Sequence, residues 1–200
     1  MKAALDTYQA EHGGAFKDEI LATGRQMGLP DDELDVLRLG ALLHDIGKIG
    51  ISDAVLRKAG PLNADEFEII KEHPAVGARI LRSVPFLAPH LPIVELHHER
   101  PDGQGYPHRL RGDEIPLLAR IVHVADAFDA ITSARAYRPA RGSSDALREL
   151  WRHAGSQFDA EAVQALAAAM PAIELTVQDD WRRAIAATSR LAMVAVGRRS

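Results

Sequence analysis

Six side chains of metal-ligating type stand out along the chain: His44, Asp45, His73, His97, His98 and Asp126. Four histidines and two carboxylates make a mixed nitrogen and oxygen donor set suited to iron, manganese, zinc or nickel. A lone histidine at a helix end is most often a cap or a partner in a hydrogen bond, so the carboxylates carry more weight. Asp126 lies within Ile121-Val122-His123-Val124-Ala125-Asp126-Ala127-Phe128, and Asp45 within Leu42-Leu43-His44-Asp45-Ile46, both apolar enough to be buried. An unpartnered buried carboxylate is very costly, and one shared cation site explains both together with the histidine pairs. Adjacent helical residues point about 100° apart, so His44-Asp45 and His97-His98 can each serve two neighbouring ions. Two ions suit phosphodiester hydrolysis, where one activates water and the other steadies charge on the leaving oxygen. Lys48, Arg135 and Arg138 offer cations for phosphate oxygens. The plainer reading of the two arginines is a favourable charge at a helix C-terminus. His123, one turn before Asp126, reads equally as a partner to a ligand or as a histidine at the core edge. His90, His108 and His153 read as surface residues.

The elements that must position these groups are helical. Ala, Leu, Arg and Glu dominate and alternating β-branched runs are scarce, which favours an all-α domain. A helix over 16–27 ends at Gly28, and Pro30-Asp31-Asp32 opens a second over 33–45 that Gly47 stops. Asn63 and Glu66 have capping-box spacing, and Pro74 kinks or divides the apolar stripe that follows. A further helix reaches His97-His98, the Gly-, Pro- and Asp-rich stretch 100–115 is a loop, and Pro116 begins a long apolar helix over 117–136. Helices over 144–153, 159–170 and 180–196 complete the chain. The reading divides it into a catalytic domain over 1–170 and, over 171–200, a linker with a peripheral C-terminal helix.

Composition narrows the function. The 200 residues suffice for one sizeable core, and 24 Lys and Arg against 28 Asp and Glu leave a net charge of −4, which gives no broad basic field for long nucleic acid. Without cysteine there is no disulfide framework, thiolate nucleophile or Cys-ligated metal. No apolar run approaches the roughly 18 residues of a membrane span, and the N-terminus lacks signal-peptide order. The expectation is a soluble, cytoplasmic protein with no membrane insertion.

His44-Asp45-Ile46-Gly47-Lys48 resembles the signature of the HD superfamily of metal-dependent phosphohydrolases. His97-His98-Glu99-Arg100-Pro101-Asp102-Gly103-Gln104-Gly105-Tyr106-Pro107 resembles the segment that names its HD-GYP subgroup. Lys71-Glu72-His73-Pro74, Ala125 to Ala130 and Ser133 to Arg138 also follow the family pattern, and the resemblance covers about 11–163. It implies an HD-domain helical bundle with a metal centre in its core. The implied reaction is hydrolysis of cyclic di-GMP to pGpG, in some members onward to GMP, by a hydroxide bridging the metals. The implied ligands are His12, His44, Asp45, His73, His97, His98 and Asp126. Asp45 and Lys48 would serve catalysis, and Lys48, Tyr106, Asp129, Arg135 and Arg138 would contact the dinucleotide. The implied cofactors are two divalent ions, iron or manganese. Members with a third ion carry a glutamate one turn before the first histidine, where this chain has Tyr8, and Gly13-Gly14 after His12 disfavours a helix interior there.

Many relatives carry a sensor or receiver domain upstream, so a free-standing enzyme or one controlled by a separate sensor, receiver or diguanylate cyclase protein is expected. The 180–196 segment could pack on its own domain or form a homodimer. Two other functions compete: an HD-type phosphohydrolase for another nucleotide, which leaves the 102–107 loop unexplained, and a silent cyclic di-GMP or partner-binding module, which would lack ligands. A purely structural helical domain fails on the cost of burying Asp45 and Asp126.

Overall fold

The computed structural model describes residues 14–133 and 140–170, and within these nine α-helices, three 3-10 turns and no strand are present. Helix α1 (Gly14–Gln26) ends where Gly28 takes φ +76°, a left-handed conformation that glycine adopts without steric cost. Pro30 then caps α2 (Asp31–Leu43), whose first turn carries Asp31, Asp32 and Glu33, complementing the positive end of the helix dipole. Its buried stripe runs Leu34, Leu37, Ala41, and the same spacing carries on to His44.

The chain leaves α2 through a 3-10 turn (Ile46–Gly50) and the short α3 (Asp53–Leu56). Asn63 and Glu66 form the expected capping box at the start of α4 (Ala64–Ile70). Pro74 does divide the helix: α5 (His73–Leu81) begins afresh with the proline in its first turn, where the missing N–H costs nothing. A 3-10 turn (Pro85–His90) leads to α6 (Leu91–Leu96). The 100–115 loop, with a 3-10 turn at Gly112–Glu114, delivers the chain to α7 (Leu117–Thr132). Helices α8 (Ser143–Arg152) and α9 (Ala160–Ala169) close the bundle.

The main core gathers Phe16 and Ile20 of α1, Leu37 of α2, Ile121, Val124 and Phe128 of α7, Leu147 and Leu150 of α8, and Val163 and Leu166 of α9. A smaller cluster joins Leu81, Leu87 and Val94. Helix α6 touches α2, α5 and α7, which gathers these elements on one side of the core. No helix among the described residues is long and apolar enough to cross a membrane.

Three expectations need correction. Helix α2 stops at Leu43, so His44 caps it and Asp45 (φ −97°, ψ 7°) has left the helix. Helix α7 ends at Thr132, where Ser133 is extended, rather than running on to 136. His90 is buried, at 7 % exposure, because the Pro85–His90 turn folds it inward; burial lowers its pKa below the usual histidine value. His108 is exposed as expected and His153 is half-buried. The 180–196 helix, the 171–178 linker, His12, Arg135 and Arg138 lie outside the described residues.

Candidate metal centre

Three histidines reach the centre by one device. His44 Nδ1 lies 2.7 Å from the Ala41 carbonyl, His73 Nδ1 2.7 Å from that of Ile70, and His97 Nδ1 2.9 Å from that of Val94. A carbonyl oxygen only accepts, so each Nδ1 carries the proton and donates it. Each ring thereby satisfies a carbonyl at the C-terminal end of a helix, respectively α2, α4 and α6. The Nε2 lone pair is left facing the centre, which is how outer hydrogen bonds orient metal-binding imidazoles.

Asp45 stands among them. Its Oδ1 lies 3.1 Å from His73 Nε2 and 3.9 Å from His97 Nε2, and its Oδ2 lies 3.3 Å from His44 Nε2 and 2.6 Å from Lys48 Nζ. His73 Nε2 and His97 Nε2 are 3.3 Å apart. Donor atoms of Asp45, His73, His97 and His98 all fall within 4.8 Å of one another, close enough for one cation to draw them together. On the other side, Asp126 Oδ1 is 3.8 Å from His44 Nε2, and the Asp126 side chain is 21 % exposed. It is therefore only half-buried, whereas Asp45 is buried.

Burial pushes His97 and His98 well below the usual histidine pKa, and the neighbouring histidines add to it: His44 and His73 for His97, and His97, His73 and His123 for His98. Both are neutral near pH 7, the form that ligates a metal. Burial also raises the Tyr106 phenol above its ordinary value, with the negative charges of Asp45 and Asp126 adding to the effect, so its hydroxyl stays a donor. The Tyr106 ring centroid is 4.8 Å from that of His98, and Lys71 Nζ is 5.9 Å from it. Asp129 is buried one turn beyond Asp126, its Oδ1 accepting the Ser133 hydroxyl at 3.0 Å.

His123 sits at the core edge, 9 % exposed with its ring 5.2 Å from that of Phe158, and makes no hydrogen bond to a candidate ligand among the described residues. Its Nδ1 donates to the Glu99 carbonyl at 2.7 Å, which ties α7 to the segment behind His97-His98. Sequence reasoning missed Glu99 and Lys71. The only local signal for Glu99 is a charge directly after two ligand-type residues.

The HD domain model of protein families matches residues 8–162. The chain belongs to the HD-domain family. Among its relatives, this HD domain is 46 % identical over 143 residues to the cyclic di-GMP phosphodiesterase response regulator RpfG of Xanthomonas campestris, covering 70 % of this chain and 38 % of that one. It is 38 % identical over 167 residues to the 3'3'-cGAMP-specific phosphodiesterase 3 of Vibrio cholerae, covering 84 % of this chain and 36 % of that one. A solved HDG"Y"P protein from Bdellovibrio bacteriovorus shares the HD-domain fold, with a TM-score of 0.63 at 24 % identity over 76 % of this chain and 48 % of that one. The chain thus spans less than half the length of these relatives.

Proposed function

We propose that this HD domain is a cyclic di-GMP phosphodiesterase that forms pGpG at a centre of two divalent ions, iron or manganese. The carrying observation is Asp45, whose Oδ1 faces His73 and His97 while Oδ2 faces His44. A carboxylate with its two oxygens turned to different donor groups would help to hold divalent ions together with the histidines on either side. His73, His97 and His98 would complete one side, and His44, Asp126 and the motif-matched His12 the other. Bound divalent ions supply Lewis-acid activation of water and charge neutralisation at a phosphodiester.

The chain's own groups do the rest. Lys48, held 2.6 Å from Asp45, places an ammonium beside the position a phosphate would take. The protonated Tyr106 hydroxyl offers a neutral donor on the loop side. Arg135 and Arg138, with Asp129 near the end of α7, make up the remaining substrate set, the arginines gripping phosphate oxygens with paired donors. A substrate of this kind fits a reaction in the cytoplasm, with a sensor, receiver or diguanylate cyclase protein as the controlling partner; the relative named as a response regulator supports signal-dependent control.

A second reading has its own support: the relative named for 3'3'-cGAMP matches a larger share of this chain. Anaerobically purified protein incubated separately with cyclic di-GMP and 3'3'-cGAMP, with products separated by chromatography and Asp45→Ala as control, distinguishes them. Preferential formation of pGpG supports the proposal. Preferential cleavage of 3'3'-cGAMP moves the substrate to the mixed dinucleotide, and metal-loaded protein inert to both returns it to another nucleotide or a silent module.

A further inference from the structure

Glu99 is a buried carboxylate, 1 % exposed, directly behind the paired histidines. Such a group persists only where hydrogen bonds replace its water. Here the replacements are consecutive backbone amides: Oε1 accepts from His108 N at 2.6 Å and Arg109 N at 3.1 Å, and Oε2 from Leu110 N at 3.0 Å. Arg109 has φ +59°, a left-handed conformation that a side chain with a Cβ adopts at a cost. The charge-assisted bond to Glu99 at its own amide offsets that cost. The turn is also pressed onto Glu99, since a Cβ at Gly105 would lie 2.6 Å from Glu99 Cα, and Tyr106 N donates to the His98 carbonyl at 3.2 Å.

The same residue faces the other way through its main chain, where the Glu99 carbonyl takes the His123 proton. Glu99 therefore joins three parts of the molecule: the α6 end bearing His97 and His98, the α7 helix bearing Asp126, and the turn bearing Tyr106 and Arg109. Tyr106, Pro107 and Arg109 of that turn line an open groove of about 590 Å³ together with Glu68, Lys71 and Glu72. Lys71 is paired with Glu68 at 2.6 Å, so the groove offers the Tyr106 ring, the Arg109 guanidinium and the Glu72 carboxylate beside the metal centre, an aromatic face with both donor and acceptor groups that fits one purine nucleotide of a cyclic dinucleotide.

We propose that Glu99 is a positioning residue for substrate binding: its carboxylate locks the Tyr106 to Leu110 turn into the wall that receives the outer nucleotide, without itself touching metal or substrate. The proposal rests on the cyclic dinucleotide reading above. Glutamine at this position replaces one acceptor oxygen by an N–H₂ group that points at backbone donors.

The test compares Glu99→Gln with the parent protein on cyclic di-GMP and on bis(4-nitrophenyl) phosphate, a small diester that reads the metal centre without filling the groove. Metal content and hydrogen exchange are measured alongside. The expected result is a KM for cyclic di-GMP raised about 10-fold, corresponding to roughly one charge-assisted hydrogen bond. Metal content and the small-diester rate stay unchanged, and amides 108–110 lose exchange protection while α7 keeps its own. Arg109→Gly is the second variant; glycine suits the left-handed backbone, so the turn should hold while the groove loses its guanidinium and KM rises. Equal losses on both diesters, loss of metal, or amides 108–110 that stay protected in Glu99→Gln would overturn the positioning role. An unchanged KM in Arg109→Gly would overturn the wall. A parent protein that cleaves the small diester but not cyclic di-GMP refutes the substrate instead, and hydrogen exchange still decides whether Glu99 anchors the turn.

Discussion

Each of His44, His73 and His97 performs two tasks with one ring: Nδ1 closes a helix end and Nε2 faces the centre. Removing one ring therefore unties a helix end and takes away an Nε2 that faces the centre, and on the proposed metal reading His73→Ala should weaken metal affinity by more than about 100-fold, beyond what loss of an outer hydrogen-bond partner costs; competition against a calibrated chelator reads this directly. In the sequence, cap and ligand stand as competing explanations of a histidine at a helix end, whereas in the fold one ring closes the helix end and still turns its Nε2 to the centre. Residue types and order made the candidate donor set legible. The tautomer, and the split of Asp45 between two donor groups, depend on distances that no spacing encodes. His90 shows the opposite error, because Ala88-Pro89-His90-Leu91-Pro92 reads as an exposed loop, yet the 3-10 turn buries the ring. Its folded pKa is lowered from the ordinary 6.5, so below about pH 6.5 the unfolded chain binds a proton that the folded one resists, and stability falls with falling pH. Urea midpoints at pH 7.5 and 5.5 should drop further for the parent protein than for His90→Leu; equal drops would contradict the burial argument.

At the scale of elements, the punctuation was legible and the close approaches were not. Gly28, the Asn63 and Glu66 capping box, and Pro74 act through their own backbone neighbourhood, so the sequence shows what they do. Gly47 reads as a helix stop, but its main constraint is distant: a Cβ there would lie 1.8 Å from the His73 carbonyl oxygen and 2.6 Å from Gly77 N. This contact packs the Ile46–Gly50 turn against α5, fixing Asp45 relative to His73. Gly47→Ala should cost about 3 kcal/mol or more, at the upper end of overpacking penalties. Gly60→Ala, with open space around the new Cβ, should stay within about 0.5 kcal/mol; chemical denaturation of the pair checks the contrast. Asp159 does similar work for α9, capping Ala162 N at 2.8 Å and pairing with Arg120 of α7 at 2.6 Å. Asp159→Ala should cost about 1–2 kcal/mol, seen as an earlier thermal midpoint.

Across the whole molecule, helices α2, α4 and α6 end at a common point, and α7 runs past it to supply Asp126. Helix C-termini carry partial negative charge, so their convergence suits a cation independently of the ligands themselves. The all-helical class followed from composition, but which ends meet depends on the packing of α6 against α2, α5 and α7, a long-range property that local pattern does not report. That convergence around Asp45 is the core of the account, and metal stoichiometry tests it most directly. Protein prepared anaerobically with iron or manganese, desalted and quantified per folded chain, should retain about two ions, and Asp45→Asn should lose both together because its two oxygens serve both sides. One tightly held ion in the parent protein, or an Asp45→Asn variant that still retains two, would contradict it.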